Sequence, residues 1–176
     1  MPSRYHFVTE MSLTSSPTDV ERVLRDVTAW PTWWKWARHA DHVNEVPTGS
    51  VGARYRNRVR TPMLYGFTYE TEIVEVAAGR IRLDSTGDLE GTGLFEYASL
   101  ETGGALLRFS WLVQTSRRWM NLVGPLARPV FTWNHDLLMT DFARGLARAS
   151  GGKLSSIAHV TFGPRDRNFF VLPAGR

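Results

Sequence analysis

The sequence predicts an α+β fold in which a curved antiparallel sheet of about six or seven strands wraps around a long C-terminal helix. Three observations predict it: an alternating run at 4–13, several short alternating runs separated by turns between 41 and 115, and a helical pattern from about Trp119 to Ala149. Because 43% of the 176 residues are hydrophobic, we expect one core with room for a cavity. This domain is placed at 1–152, followed by a tail of uncertain structure at 153–176.

Two short helices are predicted after the first strand. Ser16 can cap the first helix, Pro17 lies in its first turn, where a missing N–H costs nothing, and Asp19 places a negative charge near the helix N-terminus. Proline disfavours helical geometry in the preceding residue, so Trp30-Pro31 is expected to end this helix. A second short helix is then expected to start in the segment 31–37. This segment contains four tryptophans that either close one end of the core, which we favour, or line a ligand entrance: Trp30, Trp33, Trp34 and Trp36.

Six short runs predict the rest of the sheet. The turns between them are short and rich in glycine and proline, which favours antiparallel pairing of neighbouring strands. Alternation assigns an aromatic set with few hydroxyl groups to the concave face. The six runs are 41–47, 51–60, 65–76, 80–86, 91–99 and 104–115. The predicted inward side chains are Tyr55, Asn57 and Val59; Tyr65, Phe67, Tyr69, Thr71 and Ile73; Ile81 and Leu83; and Leu107, Phe109, Trp111 and Val113.

The long helix is predicted to be divided at Pro125 and Pro129, because a proline inside a helix removes a hydrogen bond and clashes with the preceding turn. The main segment of about 20 residues would then be about 30 Å long, enough to cross a small sheet. Gly145 permits a close approach on this segment, and Gly151-Gly152 ends it. The stripe expected to face the sheet consists of Val130 or Phe131, Asn134, Leu138, Phe142, Leu146 and Ala149.

The tail beyond this helix has two interpretations. His159–Phe162 and Phe169–Leu172 could each form a short strand or a docked segment, whereas Pro164, Pro173 and three arginines favour a loose appendage.

Composition excludes several classes of protein. The chain has no cysteine, so a disulfide framework, a thiolate nucleophile and Cys-ligated zinc are excluded. No stretch approaches the roughly 20 apolar residues that span a bilayer, and the N-terminus lacks the apolar region of a signal peptide. We therefore expect a cytoplasmic protein without integral membrane association.

The formal net charge of +4 raises the question of nucleic-acid binding. The arginines do not run in one block but alternate at Arg54, Arg56, Arg58 and Arg60, as the solvent side of a strand would. We expect no nucleic-acid partner and interpret these side chains as a solvated face. A weak anionic ligand or a membrane surface is the alternative.

Ser16-Pro17, the Trp30–Trp36 segment and Val130–Asp136 on the last helix, together with the order of elements over 4–150, carry a resemblance. The chain resembles the helix-grip fold of the START-like (SRPBCC) superfamily, and within it most of all the polyketide cyclase/dehydrase and lipid-transport-like proteins. The superfamily includes carriers of lipids and hormones, aromatic-ring cyclases, hydroxylase domains and chaperone activators. The resemblance therefore implies a fold more specifically than a function.

Asn134-His135-Asp136 is the titratable cluster with candidate chemistry. An inward His135 could remove a proton next to a carbonyl, while Tyr69, a second tyrosine such as Tyr65 or Tyr55, or an amide of Asn57 or Asn134 stabilises the enolate. Successive helical residues point about 100° apart, so the three cannot all face the cavity. With Asn134 on the stripe, His135 lies at its margin and Asp136 faces water or the helix N-terminal region. The alternative is a rim histidine bonded to backbone or water.

Metal and cofactor sites are not expected. His39 and His42 have the only ligand-like spacing and fall in a predicted loop. Phosphate-binding glycine loops and a serine nucleophile elbow are absent from the sequence. Glu70 and Glu72 alternate with the apolar set and are expected to face solvent rather than act as paired catalytic carboxylates.

The leading hypothesis is binding of a small hydrophobic ligand, aromatic, polyketide-like or lipid-like, between helix and sheet. The first alternative is a polyketide cyclase or dehydratase, a lyase without metal or nucleotide cofactor, with His135 and Tyr69 as catalytic residues. The second alternative is a protein-interaction module that presents the tryptophan segment. The predicted ligand-binding residues are Trp34, Tyr55, Asn57, Tyr65, Phe67, Tyr69, Phe109, Trp111, Phe131, Asn134, Leu138 and Phe142.

Overall fold

The structure is a computed structural model that describes residues 4–63, 65–115 and 118–162. Within these residues eight antiparallel strands form one curved sheet. The strands are β1 (Arg4–Leu13), β2 (Ala37–His42), β3 (Arg54–Arg60), β4 (Gly66–Ala77), β5 (Arg80–Gly87), β6 (Leu89–Ser99), β7 (Ala105–Thr115) and β8 (Leu154–Phe162), and the helices are α1 (Pro17–Arg25), α2 (Trp30–Trp33) and α3 (Arg118–Ala149). The strand order is β2-β3-β4-β5-β6-β7-β1-β8, with α3 packed against the concave face, so the predicted helix-grip fold is confirmed.

The start of α1 follows the capping chemistry predicted for it. Ser16 Oγ accepts a hydrogen bond from the backbone N–H of Asp19 at 3.2 Å and donates one to the Asp19 carboxylate at 2.7 Å. The Ser16 hydroxyl, and then Arg22, lower the pKa of Asp19. The stripe Val20, Val23 and Leu24 is buried against the core.

The segment between α1 and β3 differs from the prediction. Trp30-Pro31 begins α2 instead of ending α1, because Pro31 lies in a first helical turn, where its missing N–H is not needed. The helix is also short: Trp34 has extended geometry, and β2 begins at Ala37, opposite Val59, where a strand had been expected at 41–47. Alternation alone could not locate β2, since this strand lies at the edge of the sheet and pairs only with β3.

Helix α3 is continuous across Pro125 and Pro129, and the predicted division there is wrong. Each proline removes one backbone donor, and the hydrogen bonds of the neighbouring turns are sufficient to continue the helix. Gly145 is needed for its packing, because a Cβ atom there would clash with the carbonyl oxygen of Trp33. This close approach brings the tryptophan segment directly against α3.

The residues after α3 add an eighth strand to the sheet, for which six or seven strands were expected. β8 pairs antiparallel with β1, from His6 opposite Phe162 to Leu13 opposite Leu154. The other predicted tail segment, 169–172, lies outside the described residues, as do Pro164 and Pro173.

The charged side chains follow the alternation of the strands. Arg54, Arg56, Arg58 and Arg60 are exposed on β3, as predicted. Two of them, Arg54 and Arg56, pair with Glu70 at 2.8 and 3.0 Å, and they lower the pKa of that carboxyl group. Part of the basic face is therefore neutralised within the chain.

A candidate ligand cavity between helix and sheet

An apolar cavity of about 140 Å³ lies between α3 and the concave face of the sheet. Its walls are mainly aromatic and aliphatic side chains from the sheet, from the Trp30–Trp34 segment and from α3. The structure brings ten of the twelve predicted ligand-binding residues to this lining: Trp34, Tyr65, Phe67, Tyr69, Phe109, Trp111, Phe131, Asn134, Leu138 and Phe142.

Tyr55 and Asn57 do not line the cavity, although they face inward as predicted. The Tyr55 hydroxyl accepts a hydrogen bond from the backbone N–H of Gly49 at 2.7 Å and lies 2.9 Å from Thr48 Oγ1. Asn57 Nδ2 donates to Thr71 Oγ1 at 2.9 Å. Their polar groups are used within the protein, and these two predicted ligand residues lie away from the cavity lining.

Ten lining residues were not among those predicted. Seven of them lie on strands that the sequence located, and four of these seven, Val59, Thr71, Leu83 and Val113, belong to the predicted inward set. The ten are Tyr5, Phe7, Trp30, Val59, Thr71, Leu83, Leu89, Phe95, Val113 and Met139.

The tryptophan segment closes one end of the cavity. Trp30 and Trp34 are buried, and their indole N–H groups donate to the carbonyl oxygens of Leu24 and Leu138, each at 3.2 Å. Trp33 and Trp36 are half-buried against the same core. The segment therefore acts as a plug, the option favoured by the sequence, and its burial counts against a protein-interaction surface built from these side chains.

The opposite end is less closed. On the side of the sheet Tyr65, Leu89 and Trp111 remain partly exposed, and on α3 His135 and Leu138 do so as well. Tyr65 lies just before β4, Leu89 is the first residue of β6 and Trp111 lies in the last half of β7, so the three are at the same end of the strands β4–β7. An entrance to the cavity is therefore placed beside these three side chains.

His135 lines the cavity, with 16% of its side chain accessible. Its ring stacks on Phe7, with ring centroids 3.9 Å apart and an angle of 10° between the planes. Burial lowers the pKa of His135, while neighbouring Asp136 acts in the opposite direction. The imidazole is therefore neutral at neutral pH and able to accept a proton.

Tyr69, the second predicted catalytic residue, also lines the cavity and is buried. Burial raises the pKa of Tyr69, because the phenolate would be poorly solvated. Its hydroxyl stays protonated near neutral pH, so Tyr69 can donate a hydrogen bond but does not serve as a base.

One polar pair interrupts the apolar lining. Asn134 Nδ2 donates to the Tyr65 hydroxyl at 3.4 Å, and Asn134 itself is 4% exposed. Among the described residues, Asn134 Oδ1 is buried without a hydrogen-bond partner. A buried acceptor of this kind costs about 1–3 kcal/mol, which a ligand with a suitably placed donor would recover.

Neither a metal-binding cluster nor a membrane-spanning helix is found in the described part of the chain. It contains no group of three or more His, Asp or Glu side chains able to hold a metal ion, and His39 and His42 lie on β2 rather than in a loop. It also contains no helix that is both long and apolar enough to cross a bilayer.

Comparison with known proteins identifies the fold. No protein-family model and no curated protein matches the sequence. Among solved structures, a START superfamily protein from Mycobacterium smegmatis superposes with a TM-score of 0.67 and 16% identity, over 83% of this chain and 97% of that chain. A conserved protein from Geobacillus kaustophilus has a TM-score of 0.67 and 11% identity, over 89% of this chain and 98% of that chain.

The Zhui aromatase/cyclase from Streptomyces sp. R1128 superposes with a TM-score of 0.66 and 12% identity, over 84% of this chain and 94% of that chain. At such identities the likeness concerns the fold alone. The chain has the START-like helix-grip fold that its sequence resembles.

Proposed function

We propose that this START-like chain binds a small apolar ligand in the cavity between α3 and the sheet. The observation that carries the proposal is the cavity itself, which is closed at one end by Trp30 and Trp34 and walled by aromatic side chains. Pockets for small molecules combine such walls with a few polar groups that orient the ligand.

The volume of about 140 Å³ indicates the size of the ligand. An engineered apolar cavity of about 150 Å³ in another protein binds benzene, whereas pockets for drug-sized molecules span about 300–1,000 Å³. A single aromatic ring therefore fits the cavity as it stands. A polyketide-like or lipid-like ligand would have to extend through the entrance beside Tyr65, Leu89 and Trp111.

The unpaired Asn134 Oδ1 favours a ligand that carries a hydrogen-bond donor. A phenol meets both requirements, since its ring suits the apolar walls and its hydroxyl can donate to the amide oxygen. The Tyr65 hydroxyl, already in contact with Asn134, lies beside the same polar spot. The aromatic class is therefore favoured over the lipid-like class predicted beside it.

A cyclase or dehydratase activity is the second candidate function. It is supported by the position of His135 on the cavity lining and by the fold shared with an aromatase/cyclase.

A cytoplasmic location and the absence of a nucleic-acid partner stay predictions from the sequence.

Binding is tested by mass spectrometry of the extract of the purified protein, and by calorimetric titration with phenol and toluene. Val113→Phe places a ring in the cavity and should lower the affinity for both compounds at least about tenfold, as expected when the ligand loses its apolar contacts. Val160→Phe is the matched control, because Val160 is 49% exposed on β8. Equal binding by the two variants would remove the cavity as the site.

Asn134→Leu tests the polar contact. Loss of the amide should weaken phenol binding about tenfold and leave toluene binding nearly unchanged, because only phenol has a donor for the amide oxygen. A parallel loss for both compounds would show that Asn134 acts through packing and not through a hydrogen bond.

A further inference from the structure

A carboxylate lies behind the cavity histidine. Asp136 Oδ1 is 3.7 Å from Nδ1 of His135 and 3.9 Å from Nδ1 of His159 on β8. Among the described residues, neither Asp136 Oδ1 nor His135 Nδ1 has a hydrogen-bond partner, and both atoms are buried. Helical geometry predicts that Asp136 faces water or the helix N-terminal region; 34% of its side chain is exposed, and its buried Oδ1 lies toward His159 on β8.

The hydrogen bonds of His159 define which of its nitrogens carries a proton. Thr140 Oγ1 donates its single hydrogen to the backbone oxygen of Asp136 at 2.7 Å, so it can only accept from His159 Nε2, at 3.1 Å. Neutral His159 therefore carries its proton on Nε2, and its Nδ1 accepts from Thr9 Oγ1 at 3.1 Å. In this state His159 offers no donor to Asp136, whose carboxylate is left to His135.

The ring of His135 is held in one orientation by its stack on Phe7. With Nδ1 directed toward a carboxylate oxygen, the electrostatically favoured neutral form has its proton on Nδ1. The lone pair is then on Nε2, and the side chain that carries this nitrogen lines the cavity. The distance of 3.7 Å is longer than a hydrogen bond, and such contacts tighten when the base takes up a proton.

We propose that Asp136 is a positioning residue that holds His135 in the Nδ1–H form, so that Nε2 acts as a general base on a carbon acid bound in the cavity. The proposal rests on the proposed binding of a small aromatic ligand. The proton passes from the carbon of the ligand to Nε2, and the electron pair of the C–H bond forms an enolate or expels a leaving group. No oxidant, reductant or metal is required for this step.

The charges around His135 agree with this role. Burial keeps the imidazole neutral, and the Asp136 carboxylate stabilises the imidazolium formed when the proton arrives. The other titratable group facing it is His159, whose protonation would oppose that of His135 and would draw the Asp136 carboxylate toward β8. The base is thus most effective while His159 is neutral.

The first test requires no ligand. Nitrogen chemical shifts of the histidine rings at pH 7.5 should show His135 protonated on Nδ1 in the wild type, and a shift toward the Nε2–H form in Asp136→Asn. Asp141→Asn is the matched control on α3, because Asp141 accepts a hydrogen bond from the backbone of Lys35 and lies more than one helical turn beyond His135. An Nε2–H form in the wild type, or no difference between the two variants, would overturn the role of Asp136.

The second test uses 1,2-benzisoxazole, an apolar carbon acid. Removal of its ring proton breaks the N–O bond and releases 2-cyanophenolate, so the reaction reports a base in an apolar cavity. His135→Phe, which keeps an aromatic ring against Phe7, should lower the rate at least about 100-fold. Asp136→Asn should lower kcat about tenfold, leave KM nearly unchanged and move the acid limb of the pH profile to lower pH.

The outcomes separate the two proposals. If benzisoxazole displaces phenol from the cavity but His135→Phe reacts as fast as the wild type, the base is refuted and ligand binding stands. If neither phenol nor benzisoxazole binds, both proposals fall, whatever the form of His135. An unchanged kcat and acid limb in Asp136→Asn, with His135 essential, would leave the base in place and refute its positioning by Asp136.

Discussion

Truncation of Phe142 to alanine tests how the closed end of the cavity is built. Phe142 is 2% exposed on α3. Its ring centroid lies 5.8 Å from that of Trp30, 5.2 Å from Trp33, 5.3 Å from Trp34 and 6.1 Å from Phe95. One side chain thus joins the tryptophan segment to the sheet and the helix, and its removal should enlarge the cavity toward its closed end.

The expected loss of stability follows from these contacts. A buried Phe→Ala change costs about 3–5 kcal/mol, with the larger values where the surroundings cannot collapse into the void. Collapse is restricted here, because the indole N–H groups of Trp30 and Trp34 are bonded to backbone oxygens. We therefore expect a loss of about 4–5 kcal/mol, which the usual stability of about 5–15 kcal/mol can sustain.

Urea denaturation of the wild type, of Phe142→Ala and of Trp133→Ala measures this difference. Trp133 is 54% exposed on the same helix, and its loss should change the free energy of unfolding by less than about 0.5 kcal/mol. Naphthalene should then stabilise Phe142→Ala more than the wild type. At a concentration one hundred times the Kd of the variant, it should raise the variant's free energy of unfolding by about 2.7 kcal/mol. A loss below about 2 kcal/mol, or equal stabilisation of both proteins by naphthalene, would refute this account of the closed end.

Three further predictions concern single side chains. Tyr55→Phe should lose about 1–3 kcal/mol in urea, because the buried N–H of Gly49 loses its acceptor, and phenol affinity should not change; a weaker affinity would return Tyr55 to the site. Gly145→Ala should melt at a lower temperature, since overpacking against the Trp33 carbonyl, at about 1–3 kcal/mol, exceeds the gain of about 1 kcal/mol in helix propensity. In the folded protein the pKa of His135 lies below the ordinary value of 6.5. As the pH falls below 6.5, the unfolded chain therefore binds a proton at His135 before the folded chain does, and the free energy of unfolding decreases. His135→Phe should reduce this slope, whose limit for one proton is about 1.4 kcal/mol per pH unit, and an unchanged slope would contradict the assignment.

The elements that the sequence located well are those with local signals. The capping group of Ser16, the alternation of β3 and the turns between β4 and β7 depend on residues close together in the chain. β2 and β8 were misplaced or left open because they lie at the two edges of the sheet, where pairing depends on a single partner strand. Pro125 and Pro129 also disrupt the helix less than the sequence predicts, since α3 continues through both of them.

The sequence predicts which face of the sheet carries the candidate site, but not where along the strands the cavity lies. Tyr55, Asn57 and Val59 share the inward face of β3, yet only Val59, at the end next to β4's first residues, lines the cavity. Alternation determines which side of a sheet a residue faces, and it carries no information on where along the strand an internal void lies. The position of the cavity depends on the packing of the Trp30–Trp34 segment, which leaves the other end of the helix–sheet interface open.

The chemistry available to His135 depends on contacts between segments distant in sequence. Burial, which includes the stack on Phe7 of β1, lowers the pKa of His135, and Asp136 acts in the opposite direction. Oδ1 of the same carboxylate lies 3.9 Å from Nδ1 of His159 on β8. The adjacent residues His135 and Asp136 point in different directions on a helix, so their approach through Nδ1 and Oδ1 could not be inferred from spacing. Since β8 places His159 beside the same carboxylate, a change at His159 should alter the histidine in the cavity without touching a ligand. This coupling is the reason to measure the protonation of His135 before any turnover is sought.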